Sequence, residues 1–237
     1  NSTFTVLHDF SYATGASPRG SVTRTGDFLY GTAVYGNYPN SAGVVYRYNI
    51  NTDIYEVLHG FEGDYGQPTG VMVPSGDKLF FMCEGSGYVS GYVCALDINT
   101  NEVTQLISLE HETYQANHSR TGGSVLVMGN LLYVTVSGGP SQHGFMFSIT
   151  KTGQDFTKRM IFRGTTDGRF PEGNLVAQGG YFYGMTPEGG AEEQGCIFRI
   201  NQDGSGYTKL FDFDGSNGRK PFGSLLYYNG SFHGTAS

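Results

Sequence analysis

Glycoside cleavage needs two carboxyl groups, one protonated and one ionised, about 5–9 Å apart. Asp64, Glu84, Asp167, Glu172, Glu188, Glu192 and Glu193 fall in stretches that read as loops. None recurs at the inner-strand position where acids of neighbouring repeat units would meet, so the carboxylates argue against a hydrolase. Asp27 and Asp77 sit in hairpin turns, where Asp is a turn former. The histidines (His8, His59, His111, His118, His143 and His233) are dispersed, and His111 with His118 in one loop does not have metal-ligand spacing. Asp203-Gly204-Ser205-Gly206 and Asp214-Gly215-Ser216-Asn217 begin like calcium loops but lack the oxygen-ligand spacing, and read as turns. The chain carries no Ser-His-Asp constellation and no phosphate loop, and no metal or cofactor is expected.

A second set of residues could bind rather than catalyse. Tyr30, Phe80, Tyr133, Tyr183 and His233 each lie ten residues after a glycine: Gly20, Gly70, Gly123, Gly173 and Gly223. Such a column could offer one sugar-stacking platform per repeat, although strand periodicity suits packing of one unit against the next. The alternations Val44/Tyr46/Tyr48 and Phe145/Phe147/Ile149 likewise read as core between units. Gly31, Gly184 and Gly234 lie inside strands, where crowding near an axis explains them better than ligand approach.

The leading glycines are 50, 53, 50 and 50 residues apart. Several short strands per period of about 50 predict β-propeller blades. The chain is therefore expected to be one all-β domain over residues 1–237, a five-bladed propeller with repeats near 4–54, 55–102, 103–155, 156–206 and 207–237. The outer strands are expected at residues 4–10, Tyr55–Phe61, Val103–Leu109, Phe156–Phe162 and Tyr207–Phe213. The inner strands are expected at Gly20–Thr25, Gly70–Pro74, Gly123–Met128, Gly173–Gln178 and Gly223–Tyr228. Second strands follow at Phe28–Ala33, Lys78–Cys83, Leu131–Val136, Tyr181–Thr186 and Ser231–Ala236, after hairpin turns such as Gly26-Asp27 and Asn229-Gly230. Third strands are Gly43–Ile50, Gly91–Ile98, Gly144–Thr150 and Gly195–Ile200. Pro18, Pro68, Pro171 and Pro221 set the entry to four of the inner strands.

Only four third strands exist for five repeats. The N-terminal strand is expected to serve as the outer strand of the last blade, which lacks its third. That leaves an unpaired edge along Ser231, Phe232, His233, Gly234, Thr235 and Ala236. Unpaired edges recruit strands, so a copy of the chain or a neighbouring segment is an expected partner, and head-to-tail repetition would build a filament. Two other readings stay open: a natural continuation of the chain supplies the strand, or the N-terminal strand slides into the third position.

With 21 acidic and 14 basic residues, the net charge of −7 argues against a nucleic-acid surface. No apolar run is long enough to span a membrane. The sequons at Asn1, Asn117 and Asn229 are glycosylation candidates in a secreted protein, Asn117 foremost because its connection is the longest. Cys83 and Cys94 flank a hairpin turn, so a cross-strand disulfide and a pair of free thiols are both open; Cys196 has no evident partner.

Leu29-Tyr30-Gly31-Thr32 with Gly43-Val44-Val45-Tyr46, and Phe182-Tyr183-Gly184-Met185-Thr186 with Gly189-Gly190 and Gly195-Cys196-Ile197-Phe198, carry a recognisable signature. Phe232-His233-Gly234-Thr235 matches it in part. Phe81-Met82 and Val134-Thr135 depart from it. The signature resembles the Gloeobacter/Verrucomicrobia-type tandem repeat of surface and secreted proteins. That resemblance implies a β-propeller and an extracellular or cell-surface location, and it brings no catalytic residues. The expected function is a non-enzymatic structural or assembly protein. A carbohydrate-binding adhesive propeller is the alternative, with a glycoside-active enzyme behind it.

Overall fold

The computed structural model describes residues 4–36, 42–62, 66–84, 91–109, 123–139 and 142–237. Among these the protein is all-β and contains no helix. The first sheet holds β1 (Thr23–Thr25), β2 (Phe28–Ala33), β3 (Val44–Asn49) and β4 (Ile54–Gly60). The second holds β5 (Gln67–Ser75), β6 (Lys78–Glu84), β7 (Tyr92–Asp97) and β8 (Val103–Ser108). The third holds β9 (Gly123–Met128), β10 (Leu131–Val136), β11 (Phe145–Thr150) and β12 (Thr157–Ile161). The fourth holds β13 (Val176–Gln178), β14 (Tyr181–Thr186), β15 (Cys196–Asn201) and β16 (Thr208–Asp212). A two-stranded hairpin of β17 (Leu226–Tyr228) and β18 (Ser231–His233) ends the series. Every four-stranded sheet is antiparallel with its strands in chain order, as short turns between successive strands require. Contacts group the chain into two compact units, residues 1–105 and 106–237, the boundary falling within β8.

Two expectations about the termini need correction. Residues 4–10 form no strand among the described residues, because a strand needs a ladder partner and none is placed beside them. Their side chains dock instead: the His8 ring stacks on Tyr55 at 3.7 Å, and Phe10 meets Tyr46 and Tyr55 edge-on. The final second strand stops at His233, short of Ala236, and pairs only with β17.

Within each unit, neighbouring sheets share a core. In the first, Tyr30 and Val45 of the first sheet pack with Met72, Leu79, Phe81, Cys83, Cys94 and Leu96 of the second. In the second, Tyr133, Met146 and Phe162 pack with Leu175, Phe182, Phe198 and Ile200. The leading glycines make this approach feasible. A Cβ on Gly20 would overlap the carbonyl of Gly70, and one on Gly173 the carbonyl of Gly223. At these two positions the 50-residue spacing is a backbone-to-backbone contact between successive repeats, whereas Gly123 meets the Thr135 carbonyl of its own repeat.

The glycines inside β2 and β14 have a different cause from the expected axial crowding. Gly31 lies opposite Tyr46 in the ladder and Gly184 opposite Phe198, and a Cβ at either would strike that ring. In the second sheet the corresponding pair is Phe81 with Cys94; in the third it is Val134 with Phe147. A small residue on one strand faces a large one on the next, and which strand carries the bulk changes from sheet to sheet.

Candidate functional site

The hairpin β17–β18 is the place where the repeat is least covered. Leu226 pairs with His233, Tyr227 with Phe232 and Tyr228 with Ser231. Leu226 and Tyr228 leave 63% and 61% of their surface in solvent. Apolar side chains exposed side by side can mark an interaction surface. The counterparts of β18, namely β2, β6, β10 and β14, are each hydrogen-bonded on both sides. The outer edge of β18 has no strand beside it among the described residues.

The inner side of the hairpin is firmly held. Asn174 donates its backbone N–H to Ser224 Oγ at 2.8 Å, repeating across 50 residues the glycine contact just described. Phe232 packs on Tyr183 at 4.2 Å and on Tyr227 at 5.0 Å. Beyond His233, the Gly234–Ala236 stretch leads to Ser237, which exchanges two backbone hydrogen bonds with Arg219 at 2.8 and 2.9 Å. The backbone of β18 is therefore presented as a fixed ribbon whose outer-edge N–H and C=O groups have no strand partner among the described residues.

The aromatic column does not form one set. Tyr30, Phe80 and Tyr133 are buried at 2, 0 and 7% exposure, so their rings serve the core. Tyr183 is half-buried beneath Phe232, and His233 is exposed. Cys83, Cys94 and Cys196 stand as free thiols. Cys83 pairs with Tyr92 and Cys94 with Phe81, so the two cysteines are diagonal neighbours, their sulfurs 3.7 Å apart without a bond. Burial pushes the Cys83 thiol well above its ordinary value and raises that of Cys196. Asn229 is exposed in the β17–β18 turn, with φ of 48° followed by 80° at Gly230, the geometry that favours Asn-Gly. Asn1 and Asn117 lie outside the described residues, as do Asp64, His111 and His118.

Among the acids, Glu188 and Glu193 converge on one guanidinium, that of Arg169, at 3.1 and 2.6 Å. Asp167 is shielded and contacts Arg163 at 4.0 Å. No group of three His, Cys, Asp or Glu side chains among the described residues could hold a metal ion. The two supposed calcium loops are Asx turns: Asp203 Oδ1 accepts from the Ser205 N–H, and Asp214 Oδ1 from the N–H groups of Ser216 and Asn217. These bonds hold both carboxyls below the usual carboxylate range, with the Ser205 hydroxyl first for Asp203 and the Asn217 N–H first for Asp214.

The Gloeobacter/Verrucomicrobia repeat matches residues 79–237. The chain belongs to this family. Within the Gloeobacter/Verrucomicrobia repeat, the glycine of the second strand is a packing device here, since Gly184 makes room for Phe198. The departure at Phe81 is balanced by the small Cys94, whereas Val134 faces a full-sized Phe147. No curated protein matches the chain. Among solved structures, it is similar to a chain of a nidogen/laminin complex, with 12% identity and a TM-score of 0.58, over 95% of this chain and 73% of that one. It is similar to an exo-β-1,3-galactanase from Phanerochaete chrysosporium held with β-1,3-galactotriose, at 9% identity and a TM-score of 0.55, over 94% of this chain and 58% of that one. A GH43 protein from Bacillus licheniformis gives 15% identity and a TM-score of 0.51, over 84% of this chain and 42% of the other. At these identities the likeness is one of fold: a β-propeller-like, all-β repeat.

Proposed function

We propose that this member of the Gloeobacter/Verrucomicrobia repeat family is a non-catalytic assembly protein of an extracellular surface. Its five repeats form the blades of one propeller, and the blade containing β17–β18 is completed by a strand from another copy. The observation that carries this reading is that no strand among the described residues pairs with the outer edge of β18, whereas its four counterpart strands are paired on both sides. The exposed Leu226 and Tyr228 support it, because an added strand with its own side chains would cover part of that surface. The β15 segment Gly-Cys-Ile-Phe-Arg-Ile-Asn is itself held between β14 and β16, so its sequence serves as a peptide probe of the edge, since it has the pattern that pairs with β14. The surface location rests on the family.

The test is light scattering of the whole chain across a concentration series, with and without a synthetic peptide of residues 195–201. Mass that grows with concentration and falls back to one chain when the peptide caps the edge is the expected result. A single-chain mass throughout, with no peptide bound, would reject self-assembly through this edge.

A further inference from the structure

Taking assembly through the β18 edge as proposed above, we infer that the donor strand is residues 4–10 of another copy. Every named strand among the described residues already lies in a sheet. Residues 4–10 hold the position of an outer strand in the repeat, and their counterparts β4, β8, β12 and β16 are each laddered to the third strand of their sheet. Residues 4–10 have no such ladder among the described residues. The chain thus offers two strand-like ribbons short of a partner, this one and β18, and each can supply what the other lacks.

The segment is tethered at one end and open at the other. His8 and Phe10 are held by ring contacts with Tyr55 and Tyr46. Ahead of them, Phe4, Val6 and Leu7 leave 91, 58 and 53% of their surface in solvent. Residues 4–7 are therefore free to engage another molecule while His8 and Phe10 keep their contacts. Four residues span about 13 Å at strand rise, enough to run beside the three residues of β18.

Side-chain alternation suits both faces of the hairpin. In an extended segment Phe4 and Val6 point to one face, Thr5 and Leu7 to the other. Opposite residues of β17–β18 share a face, so Leu226, Tyr228, Ser231 and His233 lie on one side, and Tyr227 with Phe232 on the other. Phe4 and Val6 set beside Ser231 and His233 place apolar bulk on the exposed side that carries Leu226 and Tyr228. Thr5 and Leu7 then fall on the side of Phe232.

The other outer strands are poorer donors, because charge or a covering segment protects a sheet edge from addition. β12 carries Lys158 and Arg159, β16 carries Lys209 and Asp212, and β4 carries Glu56. Gly153 abuts the Leu106 carbonyl of β8, where a Cβ would overlap it. Residues 4–8, Phe-Thr-Val-Leu-His, carry no carboxylate, lysine or arginine. Donor and acceptor are different parts of the chain, so each added copy presents a fresh β18 edge at one end and a fresh segment at the other. Such a contact propagates head to tail.

Light scattering and hydrogen exchange of the full chain and its Val6→Pro variant test the donor. Val6 is exposed, and Pro removes its N–H from a ladder without emptying a packed site. The parent chain is expected to gain mass with concentration while amide exchange slows at residues 4–8 and 231–233 together. Val6→Pro should need about tenfold more chain for the same mass, yet still bind the peptide of residues 195–201, since its β18 edge is intact. Mixed into the parent, it should lower the mean mass, because it accepts a strand and donates none; a misfolded variant would have no such effect. Growth of Val6→Pro equal to the parent's, or slowed exchange at 231–233 without slowing at 4–8, assigns the donor to another segment and overturns this inference while assembly through β18 stands. A single-chain mass at every concentration overturns both.

Discussion

The second and fourth sheets fill the same space from opposite sides. In the second, Phe81 of β6 supplies the bulk and faces Cys94; in the fourth, Gly184 of β14 yields and Phe198 of β15 supplies it. Their loops differ in the same spirit. Tyr207, at the entry to β16, donates its hydroxyl to the Asp167 carbonyl and pins the loop ahead of β13, as Tyr55 pins the loop ahead of β1 through the Thr14 carbonyl. The second sheet has Val103 at that position, with no hydroxyl to give. Between these two sheets the bulky ring has changed strands, and which loops are tied down is left to each copy.

This comparison can be broken by moving bulk between strands. Phe81→Gly should cost about 4 kcal/mol by opening a cavity in a fully buried position. Adding Cys94→Phe, which imports the fourth sheet's arrangement, should recover more than half of that loss in urea denaturation. If the double variant is no better than the single one, the two pairs are not interchangeable.

The reverse transplant is expected to be somewhat milder. Gly184→Phe should destabilise by about 3 kcal/mol, because Phe198 is buried, its ring lies 2.6 Å from the added Cβ, and the core cannot give way. Adding Phe198→Cys should restore most of the stability. Thermal melts of the two variants side by side decide the matter.

Smaller effects sharpen the contrast in the loops. Tyr207→Phe should cost about 1 kcal/mol, the usual net worth of a hydrogen bond, and should speed amide exchange at Gly168 and Arg169 more than elsewhere. Val103→Phe in the second sheet should leave loop exchange unaltered, since no hydroxyl bond is lost there.

The smallest effect concerns His59, half-buried in β4 and edge-on to Phe61. Burial lowers its pKa, partly offset by Glu62, so the unfolded chain takes up the proton first as pH falls. Stability should be flat above about pH 7.5, then decline through the unfolded histidine value near 6.5, the contribution being lost toward acid. His59→Phe should flatten that part of the curve by equilibrium denaturation at several pH values.

Much of the architecture was legible in the chain. Phe28–Ala33, Leu131–Val136 and Tyr181–Thr186 are strands over the expected residues, because tight turns such as Gly26-Asp27 and Gly179-Gly180 fix where a hairpin reverses. The ends of other strands were not legible. The segment 4–10 has the composition of a strand, yet composition does not provide a ladder partner. Ser231–Ala236 was expected as one strand, and pairing ends at His233 where only β17 is alongside.

The repeat length, the turns, the strand order within each sheet and the position of the uncovered hairpin follow from local residue types, since backbone preference and hydrophobic alternation act over a few residues at a time. The pairing of Gly31 with Tyr46 and of Phe81 with Cys94, and the diagonal placement of the two cysteines, were decided by tertiary structure. Those depend on which side chains meet across strands and between sheets, and steric fit between residues distant in sequence is set only once the chain is packed.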